Sequence, residues 1–246
     1  SSVSHSSDGY IVAIVSPNNN YDNGEVWPSV HVRIFKNING TWTQVGNNII
    51  NGEGFESGNS LSLSSDGSVV AIGSWKNYGD YRGLVSIYKN INDTWTQIGS
   101  NIRGENSNDQ SGGSLFGNAI SLSSDGSIVA IGANFHRGTG SGRGLHRSGH
   151  VRIFKNVDNN WTQVGNDIDG EDYGDLSGSS ISLSADGSVV AIGAVFNDAG
   201  RLAVSGDVNG GHVRIFKNVN DNWTQVGNDI DGEAVHDQSG LSLIHI

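Results

Sequence analysis

The sequence predicts an all-β fold, a β-propeller of four-stranded antiparallel blades, with four repeats present, read as a partial ring with a closed four-bladed ring as the alternative. Two observations carry this. The first is an internal repeat about 60 residues long, marked by the turn aspartates Asp8, Asp66, Asp125 and Asp186. The second is that each repeat breaks into short β-type segments, none with a 3.6-residue period.

Three blocks recur in fixed order. The first is Ser121-Leu-Ser-Ser-Asp-Gly-Ser-Ile-Val-Ala-Ile-Gly132, with copies at Ser62–Gly73 and Ser182–Gly193 and a worn copy at Ser4–Val15. The second is Val32–Asn37, with copies at Val85–Asn90, Val151–Asn156 and Val213–Asn218. The third is Trp42-Thr-Gln-Val-Gly46, with copies at Trp95–Gly99, Trp161–Gly165 and Trp223–Gly227. The predicted repeats run 1–56, 57–112, 113–176 and 177–238 within one domain; 239–246 opens a truncated fifth repeat or is an artefactual tail.

Each repeat reads as four strands. Ile120-Ser-Leu-Ser and its copies alternate apolar and polar, the period of a strand. Asp-Gly closes a hairpin, because glycine accepts the positive φ of a tight turn. Val69-Val-Ala-Ile-Gly73 and its copies are apolar at successive positions, as in a strand covered on both faces. The third strand carries Phe35, Tyr88, Phe154 or Phe216, and the fourth carries Trp-Thr-Gln-Val. A four-stranded sheet with two apolar faces cannot bury them alone, so neighbouring sheets must stack. Sandwich and solenoid arrangements are the rivals. Sandwiches do not repeat so closely, and solenoid coils are shorter.

Composition narrows the function. The 246 residues contain 14 basic and 25 acidic side chains, a net charge of −11. That balance gives no positive footprint for nucleic acid. There is no Cys and no Met, which removes disulfides, thiolate metal ligands and thiol nucleophiles. No apolar run is long enough to span a bilayer, so no membrane insertion is expected of this segment.

The text Phe116-Gly-Asn-Ala-Ile-Ser-Leu-Ser-Ser-Asp-Gly-Ser-Ile-Val-Ala-Ile-Gly-Ala133, followed by Gly149-His-Val-Arg-Ile-Phe154, resembles an FG-GAP repeat, the blade of integrin α-subunit propellers. The "FG" is literal only at Phe116-Gly117; Ser57-Gly58 and Ser177-Gly178 stand at the same place in other repeats. The "GAP" persists as Gly132-Ala133 and Gly193-Ala194, without proline. The resemblance implies a propeller, an extracellular or cell-surface location and a role in cell adhesion. Its calcium loop does not carry over. Ser123-Ser-Asp125-Gly and its copies hold one carboxylate, and calcium takes six to eight oxygens. Aspartate there is expected to be a turn residue bonding its own backbone.

Three other features were candidates for chemistry. The acidic stretch Asp167-Ile-Asp-Gly-Glu-Asp172 with Asp175, and Asp229-Ile-Asp-Gly-Glu233 with Asp237, reads as a solvated loop in preference to a cation site. His31, His150 and His212 share one repeat position, where Leu84 stands in the second copy; separate blades argue for a packing role. His136 and His146 share one long loop. No nucleophile elbow, Walker loop or dinucleotide fingerprint occurs. The expectation is therefore no catalytic, cofactor-binding or metal-ligating residue, and no cofactor.

The connections between second and third strands vary in length: Ser16–Ser29, Ser74–Gly83, Ala133–Gly149 and Ala194–Gly211. They hold Trp27, Trp75, Tyr78, Tyr81, Phe135 and Phe196 beside Arg82, Arg137, Arg143 and Arg201. Variable loops on a constant frame suit a binding face. The expected function is a non-enzymatic binder of protein or glycan. The alternatives are a propeller enzyme acting on glycans and a purely structural repeat segment.

Overall fold

In the computed structural model the described residues are 2–19, 29–50, 57–74, 81–113, 119–137, 147–198 and 209–243. They contain strands and no helix.

Four antiparallel sheets follow one another. The first holds β1 (Val3–His5), β2 (Ile11–Asn19), β3 (Ser29–Ile38), β4 (Thr41–Gln44) and β5 (Ile49–Ile50). The second holds β6 (Ser57–Leu63), β7 (Val69–Ser74), β8 (Leu84–Ile91), β9 (Thr94–Gln97) and β10 (Ile102–Arg103). The third holds β11 (Ile120–Leu122), β12 (Ile128–Ala133), β13 (His150–Val157), β14 (Asn160–Gln163) and β15 (Ile168–Asp169). The fourth holds β16 (Ser177–Leu183), β17 (Val189–Ala194), β18 (His212–Val219), β19 (Asn222–Gln225) and β20 (Ile230–Asp231).

In each sheet the first three strands pair in chain order, and the third is flanked by two short strands side by side, such as β14 and β15 along β13. The fourth strand of each blade is thus split, where the sequence suggested one. A glycine with positive φ follows the first half in every copy: Gly46 (72°), Gly99 (70°), Gly165 (73°) and Gly227 (75°). The chain kinks there and returns to the same neighbour.

The turn aspartates do what the repeat text implies. Asp125 Oδ1 accepts from Ser127 N at 2.9 Å and from Ser123 Oγ at 2.8 Å. Asp66 and Asp186 repeat the arrangement. Burial resists ionisation of Asp125, but these hydrogen bonds hold its carboxyl below the ordinary value.

The blades stack through repeated contacts. Leu61, Val70 and Ile72 of the second sheet bury against Ala13, Val32 and Ile34 of the first. Equivalent clusters join the second sheet to the third and the third to the fourth. The turn residues are linked in series, Ser7 N to Ser65 O, Ser65 N to Ser124 O, and Ser124 N to Ala185 O, at 2.8–2.9 Å. Three of the repeated tryptophans clamp the preceding blade through the indole N–H. Trp95 donates to Val45 O at 2.9 Å, Trp161 to Ile98 O at 3.0 Å and Trp223 to Val164 O at 2.9 Å. Trp42 belongs to the first blade and is 48% exposed, against 4% for Trp95. Close approach also fixes Gly132, where a Cβ would collide with the Gly178 carbonyl of the next blade. No described helix is long and apolar enough to cross a membrane.

Candidate functional site

The register gathers several features at one end of each sheet. Ala133, the end of β12, pairs with His150, the start of β13; His150 in turn pairs with Asp169 of β15. Gly149 bridges to Ser177 at the start of the next blade. The variable connection, the acidic stretch and the repeated histidine therefore share one face of the stacked blades.

The acidic stretch is only partly a solvated loop. Ile168 points into the core at 5% exposure while Ile168–Asp169 forms a short strand. Asp109 and Asp175 are buried at 1% and 3% exposure. Each caps its own loop, Asp109 Oδ2 accepting from Asn106 N at 2.6 Å and Asp175 Oδ2 from Asp172 N at 2.9 Å. Asp175 also accepts from Asn197 Nδ2 at 3.0 Å. Desolvation, reinforced by the charges of Asp172 and Glu171, pushes the Asp175 carboxyl up to about 6 despite those bonds.

At the junction of the second and third blades the residues converge. His136, from the variable connection, stacks on His150 with ring centroids 3.8 Å apart and planes 13° from parallel. Both rings are buried. His136 Nδ1 lies 3.2 Å from Asp109 Oδ1, contributed by the preceding blade. Burial opposes protonation of His136, but Asp109, with the charges of Glu105 and Asp169, outweighs it and raises its pKa. His150 Nδ1 lies 3.4 Å from Asp167 Oδ2. The His150 ring, together with the Gln163 amide at 2.7 Å, holds Asp167 below the usual carboxylate range against desolvation. Arg152 closes the cluster, donating from Nη2 to Arg103 O at 2.6 Å, with Nη1 3.5 Å from Glu105 Oε1.

The next junction repeats part of this. Arg214 Nη2 donates to Asp169 O at 2.7 Å, and His212 Nδ1 faces Glu171 Oε2 at 3.9 Å and Asp229 Oδ2 at 3.8 Å. Burial and the Arg214 charge keep His212 below its ordinary pKa. The second blade lacks the pattern: Leu84 replaces the histidine and Asn101 the aspartate, which accepts from Ser86 Oγ at 2.8 Å.

His31, His150 and His212 lie in three different sheets, as the spacing of the repeats implied. His136 was flagged in the sequence; its partner Asp109 and the nearby Arg152 of the cluster were not. The one signal for Asp109 is that it shares its loop position with Asp175 and Asp237. Phe135 and Phe196 are half-buried and Tyr81 is 37% exposed. His146, Glu53, Trp27, Trp75, Tyr78, Arg143, Arg201 and the Phe116-Gly117 pair lie outside the described residues.

Fold and site together define a β-propeller with an imidazole–carboxylate centre between two blades. No family model matches the chain, and no curated protein matches it. Among solved structures it is similar to the periplasmic gluconolactonase of Pseudomonas aeruginosa, with a TM-score of 0.57 and 13% identity over 93% of this chain and 56% of that one. It is also similar to putative 6-phosphogluconolactonases. That of Bacteroides uniformis gives a TM-score of 0.53 and 15% identity over 96% and 73% of the two chains. That of Bacteroides fragilis gives 0.52 and 15% over 91% and 55%. The chain thus spans little more than half of two of these three proteins, and at such identities the likeness shows the propeller fold alone.

These comparisons correct one expectation. The reading as a non-enzymatic binder, and with it the statement that the chain is no enzyme, gives way to the enzyme alternative: the similar propellers carry the names gluconolactonase and putative 6-phosphogluconolactonase. His136 and Asp109 come from different blades and meet only when the sheets stack, so no contiguous motif joins them.

Proposed function

We propose that the chain belongs to a hydrolytic propeller enzyme that opens a sugar-derived lactone, acting outside the cytoplasm. The observation that carries this reading is the His136–Asp109 contact at 3.2 Å, set beside His150 and Arg152 on the variable-loop face. The Asp109 carboxylate faces Nδ1 at 3.2 Å, not aligned as a hydrogen bond, and its charge favours the tautomer that leaves Nε2 as the base. Water then attacks the lactone carbonyl carbon as Nε2 takes its proton. The ring C–O bond breaks, and the departing alkoxide oxygen recovers that proton, giving a hydroxy acid. Arg152 supplies the positive charge that opposes the developing oxyanion.

The gluconolactonase and 6-phosphogluconolactonase names of the similar propellers support the substrate class, and the periplasmic one supports the location. The FG-GAP likeness of Phe116–Ala133 remains part of this proposal as a statement about blade text. The test is proton release from glucono-δ-lactone, followed in a pH-stat against the spontaneous rate. Acceleration of at least about 100-fold, the usual scale of general-base catalysis, supports the reading. A rate equal to buffer alone overturns it.

A further inference from the structure

His150 carries a conflict that the reaction above does not use. It is fully buried, at 0% exposure, yet neither ring nitrogen makes a hydrogen bond. An imidazole withdrawn from water without partners is costly. Its Nδ1 faces Asp167 Oδ2 at 3.4 Å, long and poorly directed for a hydrogen bond. That separation has another meaning. Two ligands bound at about 2.0–2.2 Å to one tetrahedral ion stand about 3.4 Å apart.

A third ligand is in place. Asp169 lies directly across the ladder from His150. Asp167 and Asp169 are two residues apart, so they project to the same face while Ile168 turns inward. One ligand atom from each of His150, Asp167 and Asp169 lies within 4.8 Å of the others. Glu105 offers a carboxylate oxygen within 4.8 Å of His150 and His136 on the adjoining side. Three carboxylates there, Glu105, Asp167 and Asp169, outnumber the two guanidinium groups beside them, Arg152 at Glu105 Oε1 and Arg214 at Asp169 O, so the pocket keeps negative charge for a cation.

We infer that His150, Asp167 and Asp169 bind a divalent cation of the zinc class. One imidazole with two carboxylates selects zinc or manganese over calcium, which takes oxygen ligands throughout. His136 is not a ligand of the same ion in this arrangement. Its ring lies parallel to His150, and an ion in the plane of one ring sits out of the plane of the other. The site is also remote from the Asp-Gly turns, where the FG-GAP resemblance would put calcium. The set His212, Asp229 and Glu171 at the next junction repeats its chemistry at slightly longer spacing. This site shares the face assigned to lactone chemistry, but metal uptake reads it without substrate, so the two readings fail separately.

The experiment uses the whole chain stripped with chelator, titrated calorimetrically with zinc chloride and then dialysed for metal counting. The test variant is His150→Leu with Asp167→Asn, the pair that the second blade already carries as Leu84 and Asn101. Asp169→Asn, at an exposed position, is the second variant and leaves the melting temperature unchanged. The expected result is zinc retained by the parent, one zinc fewer per chain in the double variant, and at least about 10-fold weaker binding in Asp169→Asn, the scale of losing one ligand. A parent that takes up no zinc, or variants that bind as much as tightly as the parent, overturns the inference.

Discussion

Asp175→Asn should stabilise the protein, and only above mildly acidic pH. Asp175 is 3% exposed and sits beside Asp172 and Glu171, and its carboxyl is raised from 3.8 to about 6. In the unfolded chain it ionises near the ordinary value. Between these two limits the unfolded state has lost a proton that the folded state keeps, so stability falls as pH rises from about 4 to about 6. Above that the cost is constant, about 3 kcal/mol at 1.36 kcal/mol for each pH unit of displacement. Asparagine carries no charge and escapes it. Its one oxygen can stand where Oδ2 accepts from both the Asp172 amide and Asn197 Nδ2, but the buried NH2 that replaces Oδ1 returns about 1 kcal/mol. The net gain is about 2 kcal/mol, or about 4–8 °C in Tm for a chain of this size. The assay is thermal unfolding followed by circular dichroism at pH 3.5 and pH 7.5. The variant should melt higher than the parent at pH 7.5 and no higher at pH 3.5. An equal shift at both pH values, or a loss at pH 7.5, would refute the burial-driven account of this carboxyl.

Three further outcomes follow from the blade contacts. Trp161→Ala should cost about 3–5 kcal/mol in urea unfolding, the usual scale for a packed tryptophan, because Trp161 packs against the core between the second and third sheets and clamps Ile98 O. Trp42→Ala should cost under about 1 kcal/mol, since Trp42 is 48% exposed; comparable losses would contradict the stacking order. Gly132→Ala should lower Tm by about 2–12 °C, the equivalent of the roughly 1–3 kcal/mol overpacking cost, as its Cβ meets the Gly178 carbonyl. Asp125→Ala should cost about 1 kcal/mol, with its loss appearing in hydrogen exchange of the Ser127 amide.

The blade was legible because each copy states it again. The Ser-x-Asp-Gly turn, the twice-covered second strand and the tryptophan recur four times, and every copy uses the same local hydrogen bonds. The split fourth strand was half legible, since the glycine that kinks it stands in the repeated Trp-Thr-Gln-Val-Gly text. The candidate site was not. His136 belongs to a connection of variable length, where Asn197 stands in its place in the fourth blade, and Asp109 to the exit loop of the previous blade. Their meeting depends on lateral packing, which no local period encodes. Charge alone also misled at Asp175, because a run of carboxylates looks solvated until the Asp172 amide and Asn197 fold around one of them.

The central claim concerns the His136–Asp109 pair, and kinetics on one variant tests it most directly. His136→Gln keeps a polar side chain of similar reach but has no titratable nitrogen. With glucono-δ-lactone as substrate, kcat should fall at least about 100-fold, the scale of losing a general base, while KM and Tm stay close to the parent. Unchanged kcat in a folded His136→Gln protein would contradict the account.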